Sequence, residues 1–103
     1  MESEVECVSA IFSVLSQRWS LGIIFLLYMR DLKFNELRDV LKAISSRTLT
    51  EKLRMLEKNG ILTRSVTSSA PVRVGYSLTA RGRVIALSSL PLLYHVHSTN
   101  EKS

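Results

Sequence analysis

Apolar residues recur every three to four positions in four stretches of the chain and fill almost every position of a fifth. A recurrence of three to four residues places apolar side chains on one face of an α-helix. A nearly continuous apolar stretch is typical of a buried helix. We therefore expect the fully apolar stretch to be the central helix of the core. The pattern predicts helices over residues 4–17, 19–30, 34–42, 45–59 and 80–93, with the fully apolar stretch second.

The helix predicted over residues 45–59 carries signals at both ends. Ser45 or Ser46 can cap its first N–H groups, and Gly60 suits the left-handed conformation just past its last residue. Its two faces differ, because leucines share one and hydroxyl and charged side chains share the other. The apolar face consists of Leu49, Leu53 and Leu56, and the opposite face of Arg47, Glu51, Arg54 and Lys58, flanked by Thr48 and Thr50.

After Gly60 the apolar period changes from 3.6 to 2, which predicts β-strands over residues 61–67 and 72–78. Residues 68–71 between them have turn composition, and Thr79 can cap the last helix. A short corner joins the third and fourth helices, so residues 34–59 form a helix-turn-helix, and the hairpin over 61–78 is its wing.

One domain spans residues 1–103, and the predicted fold class is mainly α with a small β-hairpin, a winged helix-turn-helix. The helices over 4–17 and 80–93 are additions to that core and are expected to serve dimerisation. Pro91 is expected to bend or end the last helix, and the polar residues 98–103 to form a disordered tail.

Charge is unevenly distributed along the chain. The formal net charge is +5, and residues 58–100 contain five basic side chains and no acidic one. A basic, one-sided distribution is compatible with a polyanion partner. The acidic first residues are unlike a secretory signal, and the apolar run over 19–29 is too short to span a bilayer. With the single cysteine, Cys7, these features indicate the cytoplasm and no membrane partner.

Hydroxyl and arginine side chains on the exposed face of a capped helix suit phosphates and base edges, so double-stranded DNA is the expected partner. Two competing interpretations are an ordinary solvated helix and a winged-helix adaptor that binds another protein. Exposed arginines favour DNA, since an adaptor would present an apolar row. The candidate DNA-binding residues are Ser46, Arg47, Thr48, Thr50, Arg54, Lys58, Arg64 and Arg73.

The two added helices carry more apolar residues than a winged core of this size needs to bury. We therefore expect a two-fold homodimer on a pseudo-palindromic site. A small-molecule effector between core and dimer helices is a further hypothesis, which composition cannot test. The candidate interface residues are Val5, Val8, Ile11, Leu15, Trp19, Leu87 and Leu90, with Trp19 as a core or interface anchor.

Several motifs together resemble the HxlR-type winged-helix regulators, relatives of the MarR group. The resemblance spans residues 7–82 and is most specific in the run over 71–79 followed by Gly82. The family pattern would have a proline at Val72, a glutamate at Gly75 and commonly a proline at Val8. The other matching positions are Cys7, Trp19, residues 34–37 and 44–49, Leu53, residues 56–57 and Gly60.

The resemblance implies a prokaryotic, dimeric, DNA-binding transcription factor whose first and last helices form the dimer interface. The family also includes members whose amino-terminal cysteine senses oxidants or electrophiles, which makes Cys7 a candidate redox site. Its neighbours Glu4 and Glu6 disfavour a thiolate, so a small packed side chain is the favoured interpretation.

Chemistry beyond binding is not expected. His95 and His97 lack a third ligand for a metal, and two histidines with one cysteine do not assemble a nucleophile, a base and an orienting group. The sequence therefore predicts a protein that is not an enzyme and needs no metal and no cofactor.

Overall fold

The computed structural model describes residues 2–68 and 70–102, without the side chains of residues 2, 97 and 100–102. Helices dominate, and short strands follow the second and fourth of them. The first half contains α1 (Glu2–Leu15), α2 (Ser20–Met29), β1 (Leu32–Lys33) and α3 (Phe34–Leu41). The second half contains α4 (Ser46–Lys58), β2 (Leu62–Val66), β3 (Val74–Leu78) and α5 (Ala80–Lys102).

The core forms around α2, as its composition predicts. Ile23, Ile24 and Leu27 are at most 1% exposed and pack with buried leucines of α3 and α4. Phe25 and Met29, by contrast, are exposed, so the helix is not buried on every side. Phe25 borders the gap between α2 and α5, which the chain leaves open.

Both ends of α4 form as the sequence predicts. Ser45 is the N-cap, and its Oγ accepts a hydrogen bond from the Thr48 N–H at 3.1 Å. At the other end Gly60 has φ of 72°, and the N–H groups of Gly60 and Ile61 donate to Glu57 and Leu56 at 3.0 Å each. This pair of bonds is the Schellman motif, in which a left-handed glycine satisfies the last carbonyls of a helix.

The sheet has three antiparallel strands in the order β1-β3-β2. β2 and β3 pair from Leu62 with Leu78 to Val66 with Val74, which confirms the predicted hairpin with shorter strands. The sequence pattern leaves residues 31–33 between two predicted helices and predicts no strand there. The two residues of β1 are too few to show a period, and only their pairing with Tyr76 and Gly75 makes them a strand.

A tight junction holds the start of α5 against the end of α4. Thr79 Oγ1 lies 2.6 Å from Gly60 O and 3.0 Å from Ile61 O, and it accepts a hydrogen bond from the Gly82 N–H at 3.0 Å. A Cβ atom at Gly82 would collide with the Ile61 carbonyl oxygen. The predicted cap is therefore confirmed, and the absence of a side chain at Gly82 allows the helix to pack this closely.

The last helix is longer than the sequence indicates. α5 continues through Pro91 to Lys102, so the predictions of an end near residue 93 and of a disordered tail over 98–102 are wrong. Proline removes one backbone hydrogen bond but does not prevent helix on both sides of it. The last residue, Ser103, lies outside the described residues.

The molecule is extended. Its radius of gyration is 14.9 Å, whereas a compact chain of this length would have about 13 Å. Residues 3–10 of α1 are all exposed, so this helix lies largely outside the core. In the described residues no single helix is long and apolar enough to cross a membrane, and the one helix pair that qualifies by length and composition, Ser3–Leu15 with Ser20–Met29, is bent by 81°.

Candidate nucleic-acid interface

The two faces of α4 differ in burial as the sequence predicts. Leu49, Leu53 and Leu56 are completely or almost completely buried, at 0%, 1% and 0% exposure. On the opposite face the side chains of Arg47, Glu51, Arg54 and Lys58 are exposed. The helix is thus fixed to the core by three leucines and presents three cations to the solvent.

Hydroxyl groups in the first turns of α4 are already engaged in local hydrogen bonds. Ser45 Oγ lies 2.9 Å from Thr48 Oγ1, and Thr50 Oγ1 donates to the Ser46 carbonyl oxygen at 2.8 Å. Thr48 and Thr50 are both half-buried. The Thr50 hydroxyl has therefore used its hydrogen and can only accept a hydrogen bond from a ligand. The arginines are the main free hydrogen-bond donors of this face.

Arg47 is paired within its own helix. Its Nε donates to Glu51 Oε1 at 3.3 Å, and the two side chains are 90% and 61% exposed. Exposed pairs of this spacing contribute only about 0.3–0.5 kcal/mol. The pair therefore restrains Arg47 weakly, and a phosphate could replace the carboxylate as its partner.

Arg54 and Arg64 come together in a cleft that the sequence alone did not reveal. The cleft has a volume of about 390 Å³ and separates α4 from the strands of the wing. Arg54 reaches it from the helix and Arg64 from β2, so two guanidinium groups approach one space from different elements. The remaining lining residues are Phe34, Thr50, Glu57, Val74 and Tyr76.

Arg73 lies one residue before β3 and not on a strand, which corrects its expected position on a strand face. The strand begins at Val74, and the Arg73 carbonyl oxygen accepts a bond from the Thr67 N–H at 2.9 Å to close the hairpin. The exposed Arg73 side chain contributes to a second cleft, of about 680 Å³, between the wing and the start of α3. Lys33 and Glu36 also line this cleft, so two cations and one carboxylate border it.

Arg38 is, like Lys33, an exposed cation near this surface that was not among the predicted site residues. Arg38, in the last turn of α3, donates from Nη1 to Ser46 Oγ at 3.0 Å. The signal in the sequence was the presence of Arg38 and Lys42 on one face of α3. Only the structure brings Arg38 to the first residue of α4.

Residues 14–99 match the sequence profile of the family described as HxlR-like helix-turn-helix. The chain belongs to this family. Its curated relatives are described as HTH-type transcriptional regulators.

Two HxlR-like relatives and one solved structure show how far the similarity extends. The chain is 38% identical over 90 residues to the uncharacterised HTH-type regulator sll1512 of Synechocystis, covering 87% of this chain and 64% of the relative. It is 40% identical over 73 residues to YvaP of Bacillus subtilis, covering 71% and 68%. A crystal structure of ytcD, assigned as an HTH-type transcriptional regulator, matches with a TM-score of 0.85 at 27% identity, covering 93% and 97%.

The matched part of this HxlR-like chain thus spans about two thirds of the length of these curated relatives, and slightly less for sll1512. The winged helix-turn-helix fold of this chain, with its three-stranded sheet, matches the solved structure over almost the whole of both chains.

Predicted dimer residues of this HxlR-like chain fall into two groups. Val5, Val8 and Leu87 are exposed at 60%, 50% and 52%. The other residues are half-buried. Trp19 packs against the core, and the guanidinium carbon of Arg18 lies 4.8 Å from the centroid of its ring. The half-buried residues are Ile11, Leu15, Trp19 and Leu90.

An apolar groove of about 630 Å³ lies between α2 and α5. Leu90 lines it together with residues from α2 that the sequence assigned to the core, including the exposed Phe25. The full lining is Leu21, Gly22, Phe25, Leu90, Leu93 and Tyr94.

The remaining candidates do not assemble a chemical site. Cys7 is exposed, so it is not packed as a small hydrophobic residue within one chain. His95 is exposed on α5, and the side chain of His97 is not among those that the structure describes. In the described part of the chain no group of three or more histidine, cysteine or carboxylate side chains could hold a metal ion.

Proposed function

We propose that this chain binds double-stranded DNA with sequence preference and regulates transcription in the cytoplasm of a prokaryotic cell. The observation that carries the proposal is the division of α4, whose leucines are buried while Arg47, Arg54 and Lys58 face solvent. A recognition helix requires this division, because it must be held rigidly while its outer side chains reach base edges.

The wing supports the same function. Arg64 and Arg73 extend the positive surface from α4 onto the hairpin, and Lys33 adds a cation from β1. Cations on a recognition helix and on its wing fit the phosphates on both sides of a groove. In this arrangement α4 occupies the major groove, and the wing lies along the adjacent backbone.

We further propose that the chain acts as a homodimer through α1 and α5. Exposed apolar side chains lie along both helices. In an isolated chain they would remain in contact with water. The family resemblance points to the same two helices. A two-fold dimer would place its recognition helices on half-sites about 34–36 Å apart, or a multiple of that distance.

A protein–protein adaptor is the alternative function. It would need an apolar row on the outer face of α4, and that face carries charged side chains instead. Most of the exposed large apolar side chains of the described residues lie on α1, α2 and α5, and we assign those of α1 and α5 to a second copy of the chain.

A small apolar effector is a second candidate partner, which the groove between α2 and α5 favours by its size and lining. Gly22 borders the groove, and a Cβ atom there meets nothing within 4 Å. An aromatic probe such as anilinonaphthalene sulfonate should therefore bind wild type and alter its DNA affinity. Gly22→Leu should reduce both effects, and unchanged probe binding would contradict the assignment.

The test of DNA binding is selection from genomic fragments at 50 mM and 200 mM salt, followed by sequencing of the retained DNA. We expect enrichment of a pseudo-palindromic sequence and an affinity that falls steeply with salt. If DNA is retained without enrichment of any sequence, the chain binds DNA nonspecifically and the proposed sequence preference is overturned. No retention at 50 mM salt would overturn it.

A further inference from the structure

Arg38 and Ser46 join the two helices of the helix-turn-helix across the turn between them. The Arg38 Nη1 atom donates to Ser46 Oγ at 3.0 Å, although the residues are eight positions apart. Both residues are exposed. This bond places a guanidinium group beside the hydroxyl of the first residue of α4.

The donors of Arg38 are largely unused. A guanidinium group carries five N–H donors, and the bond to Ser46 uses one of them. The ion pairs in the described part of the chain are Arg30 with Glu36 and Arg47 with Glu51, so no described carboxylate lies within 4.0 Å of Arg38. Arg38 thus carries an uncompensated charge with free donors on the surface.

Ser46 can act as a second donor at the same place. Its Oγ is the acceptor in the bond from Arg38, so the hydroxyl hydrogen is not used in that bond. Lys42, also exposed, is the C-cap of α3 and adds a further cation one turn beyond Arg38. An oxyanion with several acceptor oxygens matches this set, because arginine forms parallel bonds to phosphate.

We propose that Arg38 and the Ser46 hydroxyl together bind one phosphate of the DNA backbone. The inference rests on the proposed DNA binding and adds a contact from α3 to those of α4 and the wing. In helix-turn-helix docking the first helix crosses the backbone while the second enters the major groove, so their junction lies at the edge of the groove. A phosphate bound there fixes the position of α4 in the groove without reading sequence.

The experiment compares DNA affinity of wild type, Arg38→Ala, Arg38→Lys and Ser46→Ala on the selected site and on random DNA across a salt series. Arg38→Ala should raise Kd on both DNAs about tenfold per lost contact, the low end for a charged hydrogen bond, and hence about a hundredfold for a dimer. The slope of log K against log salt should fall by about 0.9 per lost phosphate, hence about 1.8 for a dimer. Arg38→Lys should restore the slope because it keeps the charge.

The matched control is Arg83→Ala, which removes one exposed arginine from α5 and should change the slope less than half as much. If Arg38→Ala and Ser46→Ala weaken binding equally and neither changes the slope, Arg38 only holds α4 in place and the proposal is overturned. If Arg38→Ala leaves Kd unchanged, the phosphate contact is overturned and the proposed DNA binding is not affected. Absence of DNA binding by wild type overturns the proposed function as well, so the two failures are distinguishable.

Discussion

Lys52 Nζ donates a hydrogen bond to Gln17 Oε1 at 2.8 Å, which joins the middle of α4 to the segment that follows α1. The two residues are 35 positions apart in the chain. Gln17 lies two residues beyond the end of α1, the proposed dimer helix, and Lys52 lies on α4, the proposed recognition helix. The bond therefore links the segment between α1 and α2 to α4.

The Lys52–Gln17 bond should contribute measurably to stability. We expect Lys52→Ala and Gln17→Ala each to lower the free energy of unfolding by about 0.5–1.5 kcal/mol, and the double variant to cost less than their sum. Urea denaturation of the four proteins at fixed concentration gives the interaction energy. Fully additive losses would show that the two side chains are not coupled in solution.

Gly82→Ala should destabilise the fold strongly, because a Cβ atom there meets the Ile61 carbonyl oxygen. We expect a loss of about 2 kcal/mol or more, since backbone must move where α5 contacts the end of α4. Gly22→Ala is the matched control, as its Cβ meets open space in a helix, and it should stabilise by about 0.4–1 kcal/mol. Equal unfolding midpoints for both variants would refute this account of the junction.

Leu87→Asp should weaken both dimerisation and DNA binding while leaving helix content largely intact. Leu87 is 52% exposed, so the chain itself does not need it, and a charge there would oppose an apolar partner. Sedimentation at micromolar concentration measures the effect, with Val72→Asp on the wing as an exposed apolar control that should remain dimeric. A wild-type sample containing only the 11.6 kDa species would exclude the dimer.

Cys7 should not act as a redox switch. Each chain has one cysteine, so Cys7 has no second thiol in the same chain with which to form a disulfide. We expect peroxide or diamide to change DNA affinity by less than about twofold in wild type and in Cys7→Ser alike. Because Cys7 is exposed, a disulfide between two copies is the alternative. A large loss of binding with oxidant, abolished by the serine substitution, would establish that alternative.

Arg54 and Arg73 should differ in the kind of DNA contact they make. Arg54 lies on the outer face of α4, so Arg54→Ala should reduce binding to the preferred site more than to random DNA, by roughly 1–3 kcal/mol. Arg73 lies on the wing, so Arg73→Ala should weaken both by similar factors and flatten the salt dependence by about one ion per lost contact.

Both arginines are exposed, so neither substitution should change the unfolding midpoint appreciably. That makes each variant the control for the other in the binding measurements. An unchanged ratio of specific to random affinity in Arg54→Ala would contradict its assignment to the major groove.

The sequence by itself determined the elements whose signals are local. The leucine face of α4, its Ser45 cap and the glycine at its end follow from spacing and from residue preferences within one or two turns. The exposed face with Arg47 and Arg54 follows too, because it is the side opposite the leucines. The hairpin was predictable for the same reason, since a period of two and a turn composition lie within eighteen residues.

The tertiary structure alone decided how these elements meet. The pairing of β1, the bond from Arg38 to Ser46, the cleft shared by Arg54 and Arg64 and the bond from Lys52 to Gln17 each join parts of the chain that no local pattern relates. The end of α5 belongs here as well, because a proline lowers helix stability locally without fixing where the helix stops. Such contacts depend on how the core packs the helices, and packing is a property of the whole chain.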